Sequence, residues 1–143
     1  MDERFTPRPV AAWFTIGAIA SLLFMALGCV ALVMHVTADP RTLPLDQRQL
    51  FEAEPQWVLT ASSFAFVAGL IGSILLLLKR QAAERVLLIS LAGMLVWFAG
   101  MFATQPFRDL LSTEQIAILI VTVALTWTIY WFARHSRQRG WLR

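Results

Sequence analysis

The sequence predicts an all-α membrane protein, an antiparallel four-helix transmembrane bundle with a short amphipathic helix in its first outer loop. Of its 143 residues, 58% are hydrophobic and only 15% are charged, and the mean hydropathy is +0.65. A soluble domain carries about 25% charged residues, and one small core cannot bury this much apolar surface. The composition therefore excludes a soluble, disordered or nucleic-acid-binding protein, although the net charge is +3.

Four segments without Asp, Glu, Lys or Arg are the candidate spans. A helix needs about 20 apolar residues to cross a hydrocarbon core of about 30 Å, and backbone groups in lipid must be hydrogen-bonded within the segment. We therefore predict that residues 1–143 form one membrane domain. The predicted spans are 10–36, 57–78, 86–103 and 116–133.

The distribution of basic residues predicts the orientation of these spans. Nine Lys and Arg residues, including Arg4 and Arg8, lie on the side of both chain ends, and three lie on the other side. Since loops rich in Lys and Arg stay in the cytoplasm, we expect both ends of the chain there.

Both predicted outer loops carry recognisable turn and capping residues. Residues 39–44 contain two prolines and predict a turn, and residues 45–54 predict a short amphipathic helix that Pro55 ends. We expect this helix at the outer membrane interface. In the second loop, which contains Pro106, Ser112 and Gln115 fit a capping box before the fourth span.

Small residues recur at helical spacing in the first two spans, which lets helix backbones approach closely. This stripe predicts a helix-packing interface, either within one bundle or between this chain and a copy or partner. Its candidate residues are Gly17, Ser21, Ala61, Ala65, Gly69, Gly72 and Ser73.

The fourth span carries a polar face formed by Thr122, Thr126 and Tyr130. Hydroxyls in spans commonly donate to their own backbone one turn earlier or to a neighbouring helix. The alternative is a polar lining for a small neutral solute, in which nearby tryptophans form stacking walls instead of membrane-interface anchors. Those tryptophans are Trp97, Trp127 and Trp131.

The basic tail predicts a membrane-surface anchor, because juxtamembrane Arg residues are attracted to anionic headgroups. Its candidate residues are Arg134, Arg137, Arg139 and Trp141. The alternative is a docking tail for a cytoplasmic partner.

The sequence contains no recognisable catalytic, metal-binding or phosphate-binding motif. No acidic or basic residue lies inside a span, which argues against a proton- or ion-coupled transporter, and no metalloprotease, CxxC, phosphate-loop or nucleophile-elbow motif occurs. His35 lies near acidic residues in sequence, but a lone histidine is weak evidence for a metal site. We therefore predict no catalytic residue, metal or cofactor, and a non-enzymatic protein.

Three stretches together resemble a group of small four-span bacterial inner-membrane proteins, some of which are labelled sugar transporters. The stretches are residues 54–58, residues 69–72 followed by 75–80, and residues 139–142. The resemblance implies a four-span architecture in the bacterial inner membrane and suggests transport.

Two functions of different class follow as hypotheses. The first is an accessory or structural subunit that acts through helix packing with copies of itself or within a larger membrane complex. The alternative is a facilitator for a small neutral solute such as a sugar, working as an oligomer because four short helices enclose little volume. Both place the chain in contact with the lipid bilayer, and neither involves nucleic acid.

Overall fold

A computed structural model describes residues 12–105 and 107–143. Within these ranges the chain forms α-helices and no strand, and the long helices pack together as a bundle. The α-helices are α1 (Ala12–Thr37), α2 (Leu45–Ala53), α3 (Gln56–Leu77), α4 (Ala82–Ala103), α5 (Phe107–Leu110) and α6 (Thr113–Gln138). Arg4, Arg8, Pro106 and the first two residues of the predicted first span lie outside the described residues.

Helices α1, α3, α4 and α6 are each long and apolar enough to cross a membrane. The predicted all-α four-helix bundle is therefore confirmed. Helices α4 and α6 are longer than the predicted spans, since Glu84 and Arg85 continue α4 and residues 134–138 continue α6 beyond the uncharged segments. Most residues in the apolar stretches of the four long helices face outward. In α1, for example, only 17% of the residues in the most apolar stretch are buried inside the protein.

The four long helices run antiparallel, which gives the bundle two different ends. We call the end formed by Thr37, Gln56, Ala103 and Thr113 the α2 end, because α2 lies there. The opposite end, where residues 140–143 pack, is the tail end. Helix α3 packs on α1 and most extensively on α4, and α4 packs on α6, whereas α1 and α6 make little contact with each other.

Small residues of α3 allow its close contacts with α1 and α4. A Cβ atom at Gly69 would lie 2.5 Å from the sulfur of Met25 and 2.8 Å from the hydroxyl of Ser90, and one at Gly72 would lie 2.7 Å from Cγ of Leu87. The Ser90 hydroxyl donates a 2.7 Å hydrogen bond to the carbonyl of Ala65 and so links α4 to α3. Ala65, Gly69 and Gly72 of the predicted stripe therefore contact other helices of this chain.

The loops at the α2 end follow from local sequence. Asp39 caps a short 3₁₀ turn by accepting a hydrogen bond from the backbone of Arg41, and α2 ends just before Pro55, as predicted. The side chain of Ser112 accepts from the backbone of Gln115, and the side chain of Gln115 accepts from the backbone of Ser112. The predicted capping box is thus confirmed.

The predicted membrane-surface anchor at Trp141 was wrong, because this ring is buried inside the protein. Gly140 has φ = +73°, a left-handed conformation that commonly ends helices and turns the chain back. Residues 141 and 142 then pack into the core. Backbone hydrogen bonds of 2.6 and 2.8 Å join Arg143 to Lys79 and Gln81 in the α3–α4 loop.

Candidate ligand-binding cavity

The tail end of the bundle is closed by four aromatic rings, which we call the aromatic cluster: Trp13 and Phe14 of α1, Phe132 of α6, and Trp141. Phe14 stacks on Phe132 with ring centroids 5.6 Å apart, and Trp141 meets both Trp13 and Phe14 at 5.1 and 5.8 Å. Such tilted and offset ring pairs add to the free energy gained by burial. The cluster is the place where α1 and α6 are held together.

At the α2 end the same two helices diverge and border a cavity of about 830 Å³. All four long helices and α2 contribute to its walls. Its aromatic lining consists of Phe24, Phe51, Phe66 and Trp97. Phe24 and Phe66 also pack against the buried core of the tail end, so they form the floor that separates the cavity from that core.

Helix α2 covers the cavity with one face. Gln47, Leu50, Phe51 and Glu54 line the cavity and are spaced three, four and seven positions from the first, which is one side of a helix. We expected this apolar side to rest on the membrane interface. Instead it lines the cavity, and Leu50 joins a second buried cluster around Val58.

The polar groups of the lining lie toward α2. The Nε2 atom of His35, near the end of α1, donates a 2.7 Å hydrogen bond to Oε2 of Glu54, and the His35 ring tilts against Phe51 with centroids 5.1 Å apart. Only 10% of the Glu54 side chain is exposed, against 41% for His35. Gln47 and Gln115 add amide groups to the same wall.

Of the predicted polar face of α6, only Thr122 reaches the cavity. Thr126 is buried and donates to the carbonyl of Thr122, while Tyr130 packs against the tail-end core. The predicted common lining was therefore wrong for Thr126 and Tyr130. Trp97 does form a wall of the cavity, whereas Trp127 and Trp131 are exposed on the surface of the bundle.

The predicted packing residues lie away from the cavity. Ala65, Gly69, Gly72 and Ser73 are buried in α3, and Gly17 faces Phe132, since a Cβ there would lie 2.7 Å from its ring. Of the other two predicted packing residues, Ser21 is buried and Ala61 is half-buried.

The basic residues predicted as anchors are exposed at the tail end. Arg137 forms a 2.6 Å ion pair with Glu84 at the start of α4, while Arg134 and Arg139 form no ion pair with any residue the structure describes. Together with the tail hydrogen bonds, the Arg137–Glu84 pair ties the end of α6 to the α3–α4 hairpin.

Sequence reasoning missed the cavity and the role of Glu54 in it. Glu54 reads as one of several loop acids, and it is separated from His35 by 19 positions. The available signal was topological: His35 lies near the end of the first span and Glu54 just before the second, so both lie at one membrane face. Among the described residues no group of three His, Cys, Asp or Glu side chains could hold a metal ion.

Comparison with known proteins identifies no relative of this chain. No family model matches the chain, and neither a curated protein nor a solved structure matches it significantly. Membership of the four-span family therefore stays a prediction from the residues.

Proposed function

We propose that this protein binds a small amphipathic molecule in the cavity at the α2 end. The observation that carries the proposal is the cavity of about 830 Å³ between four spans and α2. Small-molecule sites in proteins are commonly apolar clefts of about 300–1,000 Å³ with a few polar groups that fix the ligand's orientation. The aromatic floor would hold an apolar body, and the groups beneath α2 would hold a polar head.

The gap between α1 and α6 is the route we propose for entry. These helices make little mutual contact, and Leu27 and Met34 on α1 and Ile118 on α6 are exposed while also lining the cavity. A molecule dissolved in the bilayer could therefore pass between them with its apolar body still in an apolar environment.

The two functions predicted from the sequence fit this geometry less well. The subunit hypothesis depends in part on the small-residue stripes, and Gly17, Gly69 and Gly72 of these stripes pack against side chains of this same chain. A facilitator needs a path through both ends of the bundle, and the aromatic cluster closes the tail end. Binding requires neither an external partner nor a second opening.

We further propose that the protein resides in a bacterial inner membrane with the α2 end facing outward. Among the described residues, seven Lys and Arg side chains lie at the tail end and three at the α2 end, which supports this orientation. Single cysteines placed at Gln49 and Gln138 in a Cys29→Ser background test it in intact cells. A membrane-impermeant thiol reagent should label position 49 only, and labelling of position 138 alone would reverse the assignment.

Photolabelling in vesicles tests binding directly. The ligand would be decanol carrying a diazirine on its chain, and mass spectrometry would map the adducts. We expect labelling of Trp97 and Met101 that excess unlabelled decanol suppresses, because a finite site saturates whereas bulk lipid does not.

A matched pair of double variants provides the control. Ala31→Phe with Thr122→Phe places two rings in the cavity lining and should remove most of the competable labelling. Ala20→Phe with Thr128→Phe makes the same changes at exposed positions of α1 and α6 outside the cavity and should leave it intact. Equal labelling in both double variants would contradict the proposal.

A further inference from the structure

The described lining of the cavity contains one carboxylate, Glu54, and neither lysine nor arginine. Two of its other polar groups are already used: the hydroxyl of Ser62 donates to the carbonyl of Leu59, and that of Thr122 donates to the carbonyl of Ile118. The groups left to meet a ligand are the Glu54 carboxylate, the His35 ring, the amide of Gln47 and the NH2 group of Gln115, whose amide oxygen already accepts from the backbone of Ser112. The ionisable groups among them are thus one acid and one histidine.

The Glu54 side chain is nine-tenths buried, but one of its two carboxylate oxygens has no protein partner among the described residues. Its Oε2 atom accepts the bond from His35, and its Oε1 atom accepts none from any residue in the ranges 12–105 and 107–143. Oε1 is not enclosed by the protein, because the hydroxyl oxygen of Ser73 is the only fully buried side-chain polar atom without a partner among the described residues. A donor on a ligand in the cavity can therefore reach this oxygen.

The surroundings favour a positive charge over a negative one. The described residues of the α2 end include six carboxylates but only three guanidinium groups. Two of the three guanidinium groups, those of Arg48 and Arg108, already pair with Glu52 and Asp109. An excess of one charge around a cavity raises the local concentration of the opposite charge, so cations would be concentrated at this end.

From these observations we infer that the molecule bound in the cavity is a lipophilic amine. Its protonated nitrogen donates to Oε1 of Glu54 beneath α2, and its apolar body lies against Phe24, Phe66 and Trp97. The inference rests on the proposed binding function and adds the class of ligand to it. Anionic amphiphiles such as fatty acids are rejected, because their head would meet the Glu54 carboxylate in a lining whose described residues include no lysine or arginine.

Three photoreactive ligands with one shared chain test this inference: decylamine, decanol and decanoate, each with the same diazirine. They would be compared in vesicles of one lipid composition by labelling of Trp97 and Met101 and its competition. We expect the amine to label at a concentration about tenfold lower than the alcohol, as a charge-assisted hydrogen bond predicts, and the acid to label least. Equal labelling by all three would overturn the inference while leaving cavity binding in place.

Variants of Glu54 test whether its negative charge causes the preference for the amine over the alcohol. Glu54→Gln keeps the shape and should remove the preference for the amine without changing labelling by the alcohol. Glu54→Asp keeps the charge and should retain the preference. Glu52→Gln is the matched control, because Glu52 is exposed, pairs with Arg48 and does not line the cavity.

The outcomes separate two kinds of failure. If none of the three ligands gives competable labelling in the unaltered protein, the proposed binding function fails. If Glu54→Gln retains the preference for the amine, the assignment to Glu54 is wrong even though the cavity binds. Should the Gln variant fail to fold, the comparison of head groups in the unaltered protein still decides between an amine and the other two.

Discussion

The two ends of this bundle are built from the same four helices but are packed in opposite ways. At the tail end, large rings and a returning segment fill the space between α1 and α6. At the α2 end the same helices separate around a cavity of about 830 Å³. The difference teaches that the filled end holds the helices together, which leaves the other end free to enclose a cavity.

The strongest test of this division removes a ring from the filled end. Phe14→Ala should lower the stability of the folded protein by about 3–5 kcal/mol, because Phe14 is only 1% exposed and a cavity would remain in its place. Thermal unfolding in detergent, followed by circular dichroism, measures the effect. Phe64→Ala on the outer face of α3, where the ring is 56% exposed, is the control and should change stability far less.

A second test adds atoms to each end. Gly72→Val should destabilise by about 1–3 kcal/mol, because the filled end has no room beside Leu87. Ala31→Val adds methyl groups to the cavity lining and should be nearly neutral. Size-exclusion chromatography with light scattering would accompany the thermal measurement. A change of oligomeric state in Gly72→Val without loss of stability would instead support the predicted interface between chains.

A smaller effect distinguishes two fully buried serines. Ser90 donates across the helix interface to Ala65, so Ser90→Ala should cost about 1 kcal/mol. The hydroxyl of Ser73 has no hydrogen-bond partner among the described residues, so Ser73→Ala should leave stability unchanged or raise it. Equal losses in the two variants would show that Ser73 has a polar partner after all.

The smallest effect is expected at the ion pair between Arg137 and Glu84. The Arg137 side chain is 44% exposed, and solvent screens such pairs, so their contribution is usually below about 1 kcal/mol. A double-mutant cycle with Arg137→Gln and Glu84→Gln would measure the coupling in low salt and again in high salt. A coupling that does not fall with salt would mean that the pair is more enclosed than its exposure indicates.

The fold was largely predictable because its determinants are local. Uncharged stretches define spans wherever they occur, Pro55 ends α2, and Ser112 with Gln115 caps α6. The ends of α4 and α6 were less predictable, since charged residues such as Arg85 can continue a helix beyond the membrane. Hydropathy alone does not detect that continuation.

The candidate site was less predictable because it depends on distances between helices. No pattern within one span indicates that α1 and α6 meet at Phe132 and diverge toward Thr122. Trp141 was misassigned because a ring beside several arginines is typical of a membrane-interface anchor. The contrary signal was Gly140, since a helix-ending glycine is frequently followed by a hydrophobic residue that packs back on the helix.

The pattern of helix contacts also has a consequence for how the chain assembles in the bilayer. Helices α3 and α4 are neighbours in sequence and share the most extensive interface, whereas α1 and α6 each dock on a different member of that pair. Transmembrane helices first insert individually and then associate, and contacts close in sequence form fastest. We therefore expect the α3–α4 hairpin to form first and α1 and α6 to join it independently. The cavity then comes into existence only when both have arrived.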